Sequence, residues 1–392
     1  MTKFTARVRG LAEFDAMVLA SLIWFLAKFL RYAFPPLFPT FQVEFGVSNA
    51  LLGTAFTVMM TVYALMQFPS GALADRLGAV VVVVAGASVA AVGALALVLP
   101  LPFAALVAAM LLVGLGTGAH KTVAVRLLSR TYPGRTGRAL GVLDTFGAFG
   151  GVAAPAAVVA VAAVADWHAV FLVAGLVGVT LAGGFALRAP RRVPPPADAD
   201  GDSAATNPRA YLDLFRDRRF SAFVGVTLCF SFAYNGAVAF LPLYLTDRAG
   251  LPQATASLLY SALFVVSLVQ LLTGDLSDRV GHLPVIGATL GLAAVALGTA
   301  GPITLGVAVV ALGLGSHGFR PVRGAYLSAV IPESVAGGGL GVVRTLLMGA
   351  GAMAPAVVGV VSDLTNFGVA FALLAAAMSG AVVLTGVVYW IE

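Results

Sequence analysis

The chain has 392 residues and a formal net charge of +6, with 60% hydrophobic and only 10% charged residues. Soluble domains carry about 25% charged residues, so this composition excludes an ordinary soluble globular protein. A single cysteine, Cys229, lies in an apolar run and excludes a disulfide framework. The excess positive charge sits in loops between apolar runs, which argues against nucleic acid as a partner.

The N-terminal segment MTKFTARVRGLAEFD is basic and too polar for a signal peptide. No small-residue cleavage site follows the first apolar run, which reads as a retained helix. Apolar runs lie near 14–38, 48–73, 79–99, 103–128, 138–162 and 167–187. Runs of this length cross a hydrocarbon core of about 30 Å. The Pro-rich stretch RAPRRVPPPADADGDSAATNPRAYLDLFRDRR comes next, with too little apolar surface to order by itself. A second set lies near 219–246, 254–276, 283–300, 303–327, 337–361 and 367–390. The expectation is an all-α polytopic membrane protein with twelve transmembrane helices in two six-helix bundles. Its N-terminal half is 1–187, its cytoplasmic linker 188–218 and its C-terminal half 219–392. Abundant Gly and Ala suit helices whose backbones approach closely in lipid.

Cytoplasmic loops carry the Lys and Arg excess that sets orientation. With the N-terminus inside, those segments hold Lys3, Arg7, Arg9, Arg76, Arg130, Arg135, Arg138, Arg279 and the linker arginines. The opposite loops hold only Arg248. Both termini are therefore expected in the cytoplasm.

An internal repeat runs through the chain. GALADRLG at 71–78 recurs as GDLSDRVG at 274–281. GLGTGAHK (114–121), Pro133, LGVLDT (140–145) and Pro155 are matched by GLGSHGFR (313–320), Pro332, LGVVRT (340–345) and Pro355. The offset stays close to 200 residues. Six helices per copy make the halves parallel, related by an axis along the membrane normal.

On these residues the chain resembles the major facilitator superfamily over essentially its whole length. Gly71, Leu73, Asp75, Arg76 and Gly78 match the family's G-x-L-x-D-R-x-G loop between helices 2 and 3. The family continues with basic residues where this chain has Ala79 and Val80. GAFGGVAAP (147–155) and MGAGAMAP (348–355) resemble the family's Gly/Pro-rich fifth-helix motif, with Ala154 where Gly usually precedes the proline. The resemblance implies secondary transport by alternating access.

In the loop motif, glycines permit a tight turn. Asp75 is suited to the exposed N–H groups of a helix N-terminus, and Arg76 to carbonyl ends or an acid. Gly71, Asp75, Arg76 and Gly78, with Asp278 and Arg279 of the second copy, are therefore candidate gating residues. Asp144 and Arg344 occupy the same repeat position with opposite charge. They join the gating set, Arg344 expected to meet Asp75 and Asp144 to meet Arg279.

Lys28, Arg31, Lys121, Arg320, Arg323 and Arg344 fall inside apolar runs, with Asp144 as accompanying acid. Each mid-membrane cation costs roughly 2.5–3.5 kcal/mol even on lenient insertion scales. Lys28 and Arg31 share a helix face with Tyr32. The resemblance implies that the first, fourth, seventh and tenth helices line a cavity. Lys28, Arg31, Tyr32, Lys121, Arg320 and Arg323 would then form a cationic pocket, with Tyr234 and Asn235 as neutral hydrogen-bonding groups. Lys28 precedes Pro36 by eight residues, a spacing similar to that of the substrate-binding Arg of organophosphate/phosphate exchangers in the superfamily. Those exchangers carry a second Arg on the seventh helix, where this chain offers Tyr234, so carboxylates stand beside phosphate esters as candidates. Lys121, Arg126 and Arg323 have snorkelling to the interface as a second reading. His120 and His317 are either proton carriers or packing and hydrogen-bonding groups.

The expected function is secondary active transport of a small organic anion across the cell membrane by a multi-pass monomer. The alternative is proton-coupled efflux of drugs or amphiphiles, which predicts an acid buried in the first or fourth helix; neither has one. A non-transporting scaffold has no need of the loop motif in duplicate. No GxxxxGK[ST] loop, HExxH or Cys/His spacing occurs, so no enzyme activity, cofactor or metal is expected. The expected partners are a small anionic solute and the lipid bilayer.

Overall fold

The computed structural model describes residues 14–100, 102–189, 213–299, 305–332 and 336–392. The basic N-terminal segment up to residue 13 and linker residues 190–212 lie outside them. The first half contributes α1 (Asp15–Tyr32), α2 (Phe38–Phe45), α3 (Asn49–Leu77), α4 (Ala79–Ala96), α5 (Phe103–Gly118), α6 (Lys121–Thr131), α7 (Thr136–Ala162) and α8 (His168–Arg188). The second contributes α9 (Arg218–Asp247), α10 (Gln253–Val265), α11 (Val269–Val280), α12 (His282–Gly298), α13 (Leu305–Val330), α14 (Ala336–Leu364) and α15 (Phe367–Ile391). No strand occurs among the described residues. In lipid each segment must satisfy its own backbone groups, and helices do so internally.

Among the described residues, 11 helical segments are long and apolar enough to cross a membrane. The twelfth expected span is α12, an apolar helix of 17 residues. Asp15–Phe45, Phe103–Thr131 and Gln253–Val280 are each one apolar segment, interrupted by a local break that divides it into two helices. In the second of these the break falls at Ala119 and His120, immediately before Lys121. The two motif copies end alike. Gly78 and Gly281 adopt φ +89° and +93°, closing α3 and α11. Side chains rarely tolerate that backbone region, so glycine is required there. Gly71, by contrast, lies inside α3 with helical geometry.

The chain divides into two compact units, 1–37 with 58–200 and 38–57 with 201–392. The stretch 38–57, placed by sequence in the first half, clusters with the second unit. In the first unit α1 runs along α7, while α4 packs on α5 and α8. The second unit repeats the plan: α9 runs along α14, while α12 packs on α13 and α15. The 200-residue repeat is thus a repeat of helix pairings. Small residues set the spacing. A Cβ on Gly118 would stand 2.6 Å from the Tyr63 carbonyl oxygen, and one on Gly86 2.8 Å from that of Gly116.

In the second unit, the N-terminal turn of α3 is capped from a distant part of the chain. Asn49 and Ala50 donate their backbone N–H groups to Asp363 Oδ1 and Oδ2 at 3.1 and 2.7 Å. Ala356 N, following Pro355 in α14, donates to Thr57 Oγ1 at 2.9 Å. A carboxylate at a helix N-terminus satisfies orphan donors and complements the helix dipole. Asp363→Ala is expected to lower stability by about 0.5–2 kcal/mol, the range for loss of a capping group. A melting midpoint equal to that of the unaltered chain would show that the cap contributes nothing.

Candidate functional site

Trp24, at the centre of α1, organises the polar cluster of the first unit. It is buried at 5% exposure, because α7 presents Gly147 directly against its indole. His120 stacks on the other aromatic surface available to it, with ring centroids 6.0 Å apart. The break between α5 and α6 turns His120 toward α1, where Nε2 meets the Ala20 carbonyl oxygen at 2.9 Å. That contact ties two helices together.

Three cations surround the same indole. Lys28 Nζ, Arg31 Cζ and Lys121 Nζ lie 5.8, 5.4 and 5.3 Å from its centroid. Lys28 Nζ also lies 5.0 Å from the Tyr32 ring centroid. Arg31 is only 4% exposed. Its Nε donates to Ala27 O at 3.1 Å, and its guanidinium carbon lies 3.7 Å from the Tyr63 ring centroid. Among the described residues Arg31 has no carboxylate partner. Desolvated cation–π contacts are worth about 2 kcal/mol or more each, so the two rings offset part of the burial penalty. Lys121 forms an ion pair with Asp144 on α7.

Asp144 therefore has its partner within its own unit, where the sequence reading had named Arg279. Asp75 does as well. Arg126 Nη2 and Nη1 donate to its Oδ1 and Oδ2 at 2.6 and 3.2 Å, where Arg344 had been the expected partner. The fork of a guanidinium matches both carboxylate oxygens at once. A Cβ on Gly71 would lie 3.9 Å from Arg126 Nη1, an ordinary contact, so the fork itself does not demand glycine at that position. Both side chains are about half exposed, so the pair adds little stability. Arg76, Asp278 and Arg279 form no ion pair among the described residues.

The second unit has its own cluster. Arg320 Cζ lies 4.5 Å from the Tyr234 ring centroid, and Arg323 Cζ lies 5.8 Å from that of Phe319. Tyr234 stacks with Phe230 at 5.7 Å and meets His317 edge-on at 5.9 Å. Tyr234 and His317 are both buried. Asn235 Nδ2 donates to Ser231 O at 2.8 Å, while Ser231 Oγ donates to Leu347 O at 2.6 Å. Ser231 thus joins α9 to α14, and Asn235 is held against its own helix.

Sequence placed Lys28, Arg31, Tyr32, Lys121, Tyr234, Asn235, Arg320 and Arg323 in one pocket. The structure gathers the first four within the first unit and places the other four in the second. Trp24 and Tyr63 were missed. Trp24 stands four residues before Lys28 and seven before Arg31, a spacing that puts it on their face and makes it findable. Tyr63 sits on another helix, and no sequence spacing links it to Arg31.

A family model described as Major Facilitator Superfamily matches residues 20–282. No curated protein matches the chain. Among solved structures, a bacterial homologue of the human lysosomal transporter Spinster, in an inward-facing and occupied conformation, is 18% identical with TM-score 0.75. That alignment covers 95% of this chain and 94% of the homologue. The nucleoside transporter NupG is 14% identical with TM-score 0.80, covering 97% and 99% of the two chains. A D-xylose-proton symporter is 16% identical with TM-score 0.75, covering 95% and 97%. At these identities the likeness is one of fold, and the solutes named differ from one structure to the next.

Proposed function

The chain belongs to the Major Facilitator Superfamily and is a multi-pass membrane transporter rather than an enzyme, and from that premise we propose that its solute is a small organic anion, carried by alternating access. The observation that supports this most is Arg31, buried in α1 with two aromatic rings and no carboxylate among the described residues. A buried charge needs a partner or a ligand, since its desolvation penalty is several kcal/mol. Lys28 and Lys121 raise the local positive charge around the same indole, and Asp144 offsets one of the three. Arg320 beside Tyr234 gives the second unit a cation on its own aromatic wall.

The test is a thermal-shift screen of the purified full chain against benzoate, glycerol phosphate, inorganic phosphate and benzylamine. Anions are expected to raise the melting midpoint, and the rise to be lost in Lys28→Ala and in Arg320→Ala. Stabilisation by benzylamine alone would overturn the proposal.

A further inference from the structure

Lys121 and Asp144 are unequal partners in their ion pair. The lysine side chain is 15% exposed, the aspartate 67%. Lys121 begins α6 at the break after His120 and reaches the Trp24 indole. Asp144 projects from α7 three residues before Gly147, the glycine that abuts that indole. An ion pair with an exposed member contributes little, because water screens it. Asp144 can therefore turn away into water at small cost. Lys121, mostly buried, cannot be left without an anion so cheaply. The pair holds a cation in place with a carboxylate that is easily replaced.

Beside it, α1 leaves one stripe partly exposed. Phe25, Lys28, Phe29 and Tyr32 recur at i, i+3, i+4 and i+7, so they share one face. Phe25 and Phe29 stack with centroids 6.2 Å apart, and the Lys28 ammonium lies over Tyr32. Three rings and one ammonium suit an apolar or aromatic body that ends in an acid.

We propose that Asp144 is a resident carboxylate which holds Lys121 until the solute's own carboxylate displaces it, so that the solute is a carboxylate with an apolar, ring-bearing body. This rests on the anion reading and narrows it. Exchange of one carboxylate for another keeps a single negative charge on Lys121, and Asp144 returns when the solute leaves.

The experiment is a mutant cycle on the purified full chain, with benzoate binding read by calorimetry. Asp144→Asn is expected to bind benzoate about tenfold tighter, a coupling within the usual range for contacting residues. Lys121→Gln is expected to bind it more weakly. In the Lys121→Gln background, Asp144→Asn should bring no gain, because the aspartate acts through the lysine. Benzoate binding restored by Asp144→Asn in that background would overturn the proposal, since Asp144 would then act only by its field. Equal affinity in Asp144→Asn and the unaltered chain would overturn it too, while leaving the anion reading intact. Failure of benzoate and phosphate to bind either chain would defeat the anion reading itself. Lys121→Arg, which keeps the charge, replaces Lys121→Gln if the latter does not fold, and there the gain from Asp144→Asn is expected to return.

Discussion

Valine at position 150 is expected to destabilise the chain by at least about 1–3 kcal/mol, the usual penalty for overpacking. Even a Cβ on Gly150 would overlap the Phe25 carbonyl oxygen and stand 3.0 Å from Lys28 Cβ. The obstacle is the backbone of α1, which cannot rotate aside as a flexible side chain can. Relief requires α1 and α7 to separate, and these are the paired helices that carry Trp24, Lys28, Arg31 and Asp144. Loss of anion binding should therefore accompany the loss of stability. Gly141 on the same helix is the control: a Cβ there meets nothing within 4 Å. Gly141→Ala is expected to be neutral or to stabilise by up to about 1 kcal/mol, the propensity difference within a helix. Melting midpoints of the two variants check the contrast. Equal midpoints would mean that α7 does not seat on α1 as closely as described.

Lysine at position 31 is expected to weaken benzoate binding about tenfold or more while leaving the melting midpoint within a few degrees. Arg31 does two things that a lysine cannot do together. Its Nε donates to Ala27 O while the planar guanidinium lies against Tyr63. An ammonium is a compact, strongly hydrated charge without a flat face. A guanidinium fork matches both oxygens of a carboxylate where an ammonium offers a point charge, and a loss of about 1.4 kcal/mol in that pairing is tenfold in affinity. Calorimetry with benzoate on the Arg31→Lys chain measures this directly. Unchanged affinity would remove Arg31 from the binding site and leave it a packing residue.

Much of the architecture is legible along the chain because lipid imposes a simple rule. A helix must run about 20 apolar residues to cross, so hydropathy alone marks the spans. The expected twelve spans fall on helices, with α12 the shortest. The repeat was legible for a second reason: Gly78 and Gly281 occupy a backbone region that other residues avoid, so the turn keeps its glycine in both copies. Charge pairing was not legible. Asp75 and Asp144 were expected to find Arg344 and Arg279, and instead pair with Arg126 and Lys121. Repeat symmetry says which positions are equivalent, but the reach of a side chain depends on helix rotation and on breaks such as that at His120. Asp363 was missed for the same reason, since its partners Asn49 and Ala50 lie more than 300 residues away.

By itself, then, the sequence determined the class, the apolar spans, the internal repeat and the family, because each depends on local composition or on fixed spacing. It also determined that cations outnumber acids within the spans. Tertiary structure decided what those cations touch. It buried Trp24 among Lys28, Arg31 and Lys121, laid Arg31 on Tyr63, and set an exposed Asp144 against a shielded Lys121. Apart from the α1 face that Trp24 shares with Lys28 and Arg31, those are facts of distance and burial between separate helices, and no spacing along the chain encodes them.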